Sequence, residues 1–288
     1  MDPKDVRRRR TASAAGGQRK GGCINKCGLF FVIFELMLRA ILYALLLSGT
    51  LPLLGQNQLD AEGRKSGHWK VEYSGGTIRY EGDFVDGHPV GPLVRYYENG
   101  AVQARMLFEP DGLSSYALLY YRNGKIAAEG RYVNQDKDSI WTYYSEFDGT
   151  VRIREPYLEG ILEGVARSYY PSGAISEELE WKQNEKNGEW KQFYENGAPR
   201  LTGHFEEGKL QGPYEIYYGD GTLKIKGTYV DNRSHGTWSF YDESGKEIYA
   251  LDYVKGTPAD WEKYTEWIAD SLSKYLILSD PESIQLPE

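Results

Sequence analysis

The side chains able to do chemistry are scattered. Four histidines, His68, His88, His204 and His235, fall in or beside glycine-rich turns or strand ends. None has a second His or a Cys at the spacing that zinc ligands adopt. Each reads as a solvated turn residue. Both cysteines, Cys23 and Cys27, precede an apolar stretch, and no other cysteine follows. The later residues therefore carry no disulfide framework or thiolate metal site. The pair itself reads as two free thiols in a leader, or as a juxtamembrane palmitoylation site. Glu177-Glu178 and Glu206-Glu207 are sequence neighbours, whereas glycoside cleavage needs two carboxyls held across a groove. The nucleophile elbow, the phosphate loop and the HExxH helix have no counterpart in the sequence. These observations point to a protein that is not an enzyme and has no catalytic residue, cofactor or metal.

The elements that must hold these residues repeat. Turn glycines recur at Gly76, Gly100, Gly124, Gly149, Gly173, Gly197, Gly221 and Gly245, 24 residues apart except for one step of 25. Eight residues after each comes an aromatic: Phe84, Phe108, Tyr132, Tyr157, Trp181, Phe205, Tyr229 and Tyr253. Aromatic pairs such as Tyr96-Tyr97, Tyr120-Tyr121, Tyr143-Tyr144 and Tyr217-Tyr218 precede the turns. Many repeat starts read like Gly188-Glu189-Trp190. Asn99-Gly100, Asn123-Gly124 and Asn196-Gly197 have the residues of a type I′ hairpin turn, as do Asp148-Gly149 and Asp220-Gly221. Aromatic and β-branched residues around the turns favour strands. Successive side chains in a strand alternate faces. The two members of each aromatic pair should therefore build a ladder on each face. The expected fold is all-β: an elongated, single-layer antiparallel sheet of eight hairpins over residues 67–256.

Repeats 3 and 4 depart from the pattern. Their starting glycine is missing near Ser115 and Ser139, and Gln135-Asp136-Lys137-Asp138 replaces a glycine turn. Glu155-Pro156 occupies a strand position, and proline removes a ladder hydrogen bond. A bend or irregularity is expected over residues 135–160. Asp136, Asp138, Glu155 and Pro156 are candidate partner-binding residues, because loops on rigid scaffolds often carry binding.

The ends differ from the array. Residues 1–56 carry nine Lys/Arg against three Asp/Glu, a net +6; the other 232 carry 25 against 39, a net −14. So acidic a body does not suit general nucleic-acid binding. Within the leader, Met37-Leu38-Arg39, the apolar run Ala40 to Leu47 and a break at Pro52 form a secretory signal peptide over 37–56. On that reading translation starts at Met37 and residues 1–36 are not made. The other reading keeps residues 28–55 as a membrane anchor with the basic N-terminus inside. Both put the repeats outside the cytoplasm, in the periplasm, cell envelope or medium of a bacterium, with membrane contact only through an uncleaved leader. Residues 57–66 form a linker. Thr257 as N-cap and Pro258 in the first turn open a helix over 257–276 that caps the last hairpin. Residues 277–288 are a tail.

The unit resembles the MORN-variant repeat, which reads roughly G-x-W-x-x-Y-Y-x-N-G-x-[LIV]-x-x-x-G-x-[YF]-x-x-G-x-x-x-G. Gly188 to Gly212 and Gly212 to Gly236 fit it best. The resemblance implies the same single-layer sheet, and bacterial proteins of this kind are labelled antitoxin components of the YwqK-like family. Three binding functions follow as expectations. The first is a protein-interaction scaffold acting through the irregular repeats or a sheet edge; residues 67–84 would be an uncapped edge and the natural site for strand addition. The second is a glycan- or choline-binding module using aromatic ridges. The third is an antitoxin-like neutraliser of a partner protein.

Overall fold

The computed structural model describes residues 56–278, with side chains through residue 271. The leader and both cysteines lie outside the described residues. The repeat region is one continuous antiparallel meander. It begins with β1 (Gln58–Leu59), β2 (Lys65–Glu72), β3 (Ile78–Val85), β4 (His88–Tyr96), β5 (Val102–Phe108), β6 (Ser114–Tyr120) and β7 (Ile126–Val133). The middle holds β8 (Asp136–Tyr144), β9 (Val151–Leu158), the short β10 (Ile161–Leu162), β11 (Gly164–Tyr169), β12 (Ile175–Lys182) and β13 (Glu185–Phe193). It ends with β14 (Pro199–Glu206), the short β15 (Lys209–Leu210), β16 (Gly212–Tyr217), β17 (Leu223–Val230), β18 (Arg233–Tyr241), β19 (Glu247–Val254) and the short β20 (Thr257–Pro258). A single helix, α1 (Trp261–Leu278), follows. Each long strand pairs with its sequence neighbours, giving eight hairpins: β2–β3, β4–β5, β6–β7, β8–β9, β11–β12, β13–β14, β16–β17 and β18–β19.

Type I′ turns are present, but not at the Asn-Gly steps. Asn99 has an ordinary backbone, and only Gly100 is left-handed, at φ 83°. The Gly100 N–H donates to the Tyr97 carbonyl and the Tyr97 N–H to the Ala101 carbonyl. This is a type I turn closed by a glycine bulge, and the pairing shifts register at Tyr96. Asn99 Oδ1 accepts the Ala101 N–H at 3.1 Å, which holds the turn in that form. The type I′ turns join successive hairpins instead, with both central residues left-handed, as at Asp86-Gly87 (51°, 83°) and Asn134-Gln135 (51°, 73°). The irregular stretch beginning at Gln135 therefore keeps the common turn without glycine, and Ser139 keeps the left-handed backbone of its glycine counterparts at φ 62°.

Two other features depart from the expected repeat. The turn between β8 and β9 has one extra residue, and Ser145 stands where Tyr97 and Tyr121 stand in their turns. Tyr143-Tyr144 is thus one residue out of step with the other pairs. Between β5 and β6 the type I′ turn is replaced by a loop over Glu109–Leu113, in which Asp111 Oδ1 accepts the N–H groups of Leu113 and Ser114 at 2.9 and 3.0 Å.

Packing is organised by rows running across the strands. One row alternates large and small over hairpins six and seven, where Trp190 faces Gly203 and Tyr214 faces Gly227, and ends with Trp238 against the buried Leu251. A Cβ on Gly130 would lie 2.4 Å from the Trp141 ring, and one on Gly227 2.2 Å from the Trp238 ring. Glycine is therefore required there for space. The tightest cluster surrounds Ala117, Ala128 and Trp141, with Met106, Leu119 and Tyr132 against it. The hairpins are also stitched by hydroxyls. Tyr73, Tyr97, Tyr121, Tyr170, Tyr194 and Tyr218 each donate to the carbonyl 23 residues later, at 2.7–2.8 Å.

Both ends differ from expectation. The first edge is covered: β1 pairs with Ser66 and Lys65, Asn57 donates its N–H to the His68 carbonyl, and its amide accepts the Lys70 N–H at 2.8 Å. The linker thus closes the edge of β2. At the far end Thr257 is not a helix cap, because Thr257 and Pro258 pair with Val254 and Tyr253. Asp260 caps α1 by accepting the Lys263 N–H at 3.0 Å. Trp267 then lies on Phe240 and Tyr249, with ring centroids 5.0 and 6.5 Å away.

Candidate functional site

The four histidines stay apart, in hairpins one, two, six and eight. His68 bonds Asp83 at 3.0 Å, while His204 lies opposite Glu189 and His235 opposite Thr228. No group of three potential metal ligands occurs among the described residues. The eight turn glycines all hold left-handed turn positions.

The aromatic row has a structural register that spacing alone did not show. Each member lies opposite a repeat-start residue: Phe84 opposite Gly67, Phe108 opposite Gly91, Phe205 opposite Gly188 and Tyr253 opposite Gly236. Tyr132 and Tyr157 lie opposite Ser115 and Ser139, Trp181 opposite Gly164 and Tyr229 opposite Gly212. These rings pack inward more than they present themselves. Phe84 and Phe205 are buried, and Tyr229 sits edge-on to Trp238 at 5.1 Å. Two aromatic boxes are already filled by the chain's own ammonium groups. Lys65 Nζ is 4.9–5.0 Å from the Trp69, Tyr80 and Phe84 rings. Lys137 Nζ is 4.8–5.1 Å from Trp141, Tyr143 and Tyr157. The other face carries tyrosine–carboxylate contacts. Tyr96 donates to Glu81 at 2.6 Å, and burial together with that carboxylate pushes its pKa up to about 12.

Hairpin four brings the suspected partner residues together with apolar neighbours that spacing did not single out. Asp136 borders the turn and Gly160, while Asp138 accepts the Ser139 hydroxyl at 2.7 Å. Glu155 accepts the Tyr157 hydroxyl on the face that holds Trp141. Pro156 points to the opposite face, where Ile140 is its direct partner. Leu158, two residues on, faces Ile161. The Glu163 N–H donates to the Pro156 carbonyl at 3.0 Å, so the pairing changes register between Pro156 and Arg154. Ile140 and Leu158 are 54% and 59% exposed. The register of Ile140 and Pro156 holds His68 with Asp83, Glu189 with His204 and Thr237 with Asp252 in other hairpins. Hairpin two also has an apolar pair in this register, Pro92 with Leu107, but both are half-buried, whereas Ile140 is well exposed. Aligning the hairpins position by position would have found this signal. Phe147, 89% exposed, stands on the enlarged turn of the same hairpin.

A model of the MORN repeat variant matches residues 116–134, 162–183, 186–207 and 210–231. These segments are MORN-variant repeats and fall on the third, fifth, sixth and seventh hairpins. No curated protein matches the chain. A solved structure described as the crystal structure of TcdB2-TccC3-TEV is similar at 12% identity, over 69% of this chain and 13% of that one, with a TM-score of 0.20. The chain thus spans only a small part of that structure's length, and a likeness of this degree carries no argument.

Proposed function

Because the chain is built of MORN-variant repeats, we propose that it is a non-catalytic scaffold, exported from the cytoplasm, that holds a protein partner on hairpin four. The carrying observation is the pair Ile140 and Pro156 with Leu158 and Ile161 beside it. A lone exposed apolar side chain is ordinary on any surface. A contiguous exposed apolar group is the usual mark of an interaction site. The rigid sheet keeps these side chains in register before a partner arrives, which lowers the ordering cost of association. The glycan and choline readings have less support, because the rings pack on one another and two boxes hold lysines. An antitoxin-like role would use the same kind of contact.

The test is affinity capture from a bacterial envelope fraction, run beside a glycan array. The bait is the array without its leader, compared with a double variant, Ile140→His with Pro156→Asp. Those residues are the pair hairpin one carries in this register, so the fold is retained. A captured protein that is lost with the double variant is the expected outcome. Capture unaffected by the double variant, or glycan binding without protein capture, would overturn the proposal.

A further inference from the structure

Hairpins two and three are adjacent and carry small or aliphatic residues in both inner registers of the sheet face, beside their Phe108 and Tyr132. The register of Tyr80 and Tyr249 is occupied there by Ala104 and Ala128, and that of Trp69, Trp141 and Trp238 by Leu93 and Ala117. The missing bulk leaves a half-open hollow of about 1050 Å³. Leu93, Ala104, Met106 and Leu119 line it, with Tyr132 alongside. The Glu109–Leu113 loop closes one end. Its Gly112 is pressed against His88 so closely that a Cβ would lie 2.5 Å from that residue's own. The loop therefore packs directly on His88 and Pro89.

The charge at the hollow is cationic, among polar neighbours that are neutral. Arg95 is exposed at its margin, and no carboxylate lines it, although residues 57–288 carry a net charge of −14. Ser115 Oγ is buried, lines the hollow and has no hydrogen-bond partner. A buried hydroxyl left in that state is costly until something bonds it. An apolar concavity of this size with a few fixed polar groups has the anatomy of a small-molecule site. A guanidinium beside low-dielectric walls favours an anion.

We infer that this hollow binds an apolar organic anion taken up from solution. The apolar body rests on the floor between hairpins two and three, the anionic group pairs with Arg95, and Ser115 supplies a buried hydrogen bond. The hollow lies on the face that carries Trp141 and the proposed partner row on the opposite face, so either can fail without the other.

The test uses two fluorescent probes of similar body, the anionic 8-anilinonaphthalene-1-sulfonate and the neutral N-phenyl-1-naphthylamine. Both are expected to bind the array at one site. Arg95→Gln should weaken the anionic probe roughly tenfold and leave the neutral one unchanged, because only the former has a charge-assisted contact to lose. Ala104→Tyr, which places the residue of hairpins one and eight in the hollow, should remove both. Ala104→Leu, the residue hairpin six carries there, gives the same readout if the tyrosine variant does not fold. Octanoate should displace the anionic probe and octylammonium should not. Failure of both probes to bind, or binding that survives filling of the hollow in a folded variant, would overturn the site. Equal effects of Arg95→Gln on both probes would overturn the assignment of an anion.

Discussion

At the scale of single residues, the array is held by fits that tolerate little change. Gly130 and Gly227 have ordinary backbones, and what they supply is room for the Trp141 and Trp238 rings. Gly227→Ala should therefore lower stability by about 1–3 kcal/mol, the usual cost of overpacking a well-filled site. Chemical unfolding measures this, and an unchanged midpoint would show that the ring moves aside freely. The row Ile140·Pro156 belongs to the same scale. Its composition is visible in the sequence, but its exposure and continuity depend on which strands pair.

At the scale of elements, α1 works through few contacts. Trp267 on Phe240 and Tyr249, with the Tyr249 hydroxyl on the Lys263 carbonyl at 2.9 Å, joins the helix to the last hairpin. Terminal repeats need such covering to stay soluble. Deleting residues 259–288 should expose both rings and cause aggregation or loss of cooperative unfolding. A truncated chain with the parent melting curve would show that α1 is dispensable. The helix was legible from its spaced aromatics, Trp261, Tyr264 and Trp267. Its start was not, because Thr257-Pro258 suits a helix N-terminus locally and yet completes a strand pair with β19. Likewise Asn-Gly suits a type I′ turn, but three residues separate Tyr97 from Ala101, the pair that closes the loop, and that length goes with a type I turn followed by a bulge.

For the whole repeat region, stability passes between neighbours. Every long strand contacts the strands next to it in sequence, and the tyrosine hydroxyls join each hairpin to the following one. Such arrays unfold from their ends. Asn57 is the clip on the first end. Asn57→Ala should raise amide exchange at Lys70, whose N–H it accepts, and in the first hairpin, while hairpins five to eight keep their protection. Residue-resolved hydrogen exchange reads this directly. Uniform deprotection along the chain would mean that the array unfolds as one block.

The repeat period, the strands, the number of hairpins and the presence of a C-terminal helix were set by local chemistry. Glycine, asparagine and aromatic residues impose turns and strands wherever they recur, so 24-residue spacing carries that information without knowledge of any contact. What depends on pairing was decided only in three dimensions. The tertiary structure closes the first edge with Asn57, sets each aromatic opposite a glycine or serine, and gathers Ile140, Pro156, Leu158 and Ile161 onto one surface. It also turns four small substitutions, in hairpins two and three, into one hollow. Each of these joins residues from different strands, and a distance along the chain does not state which residues the register will bring face to face.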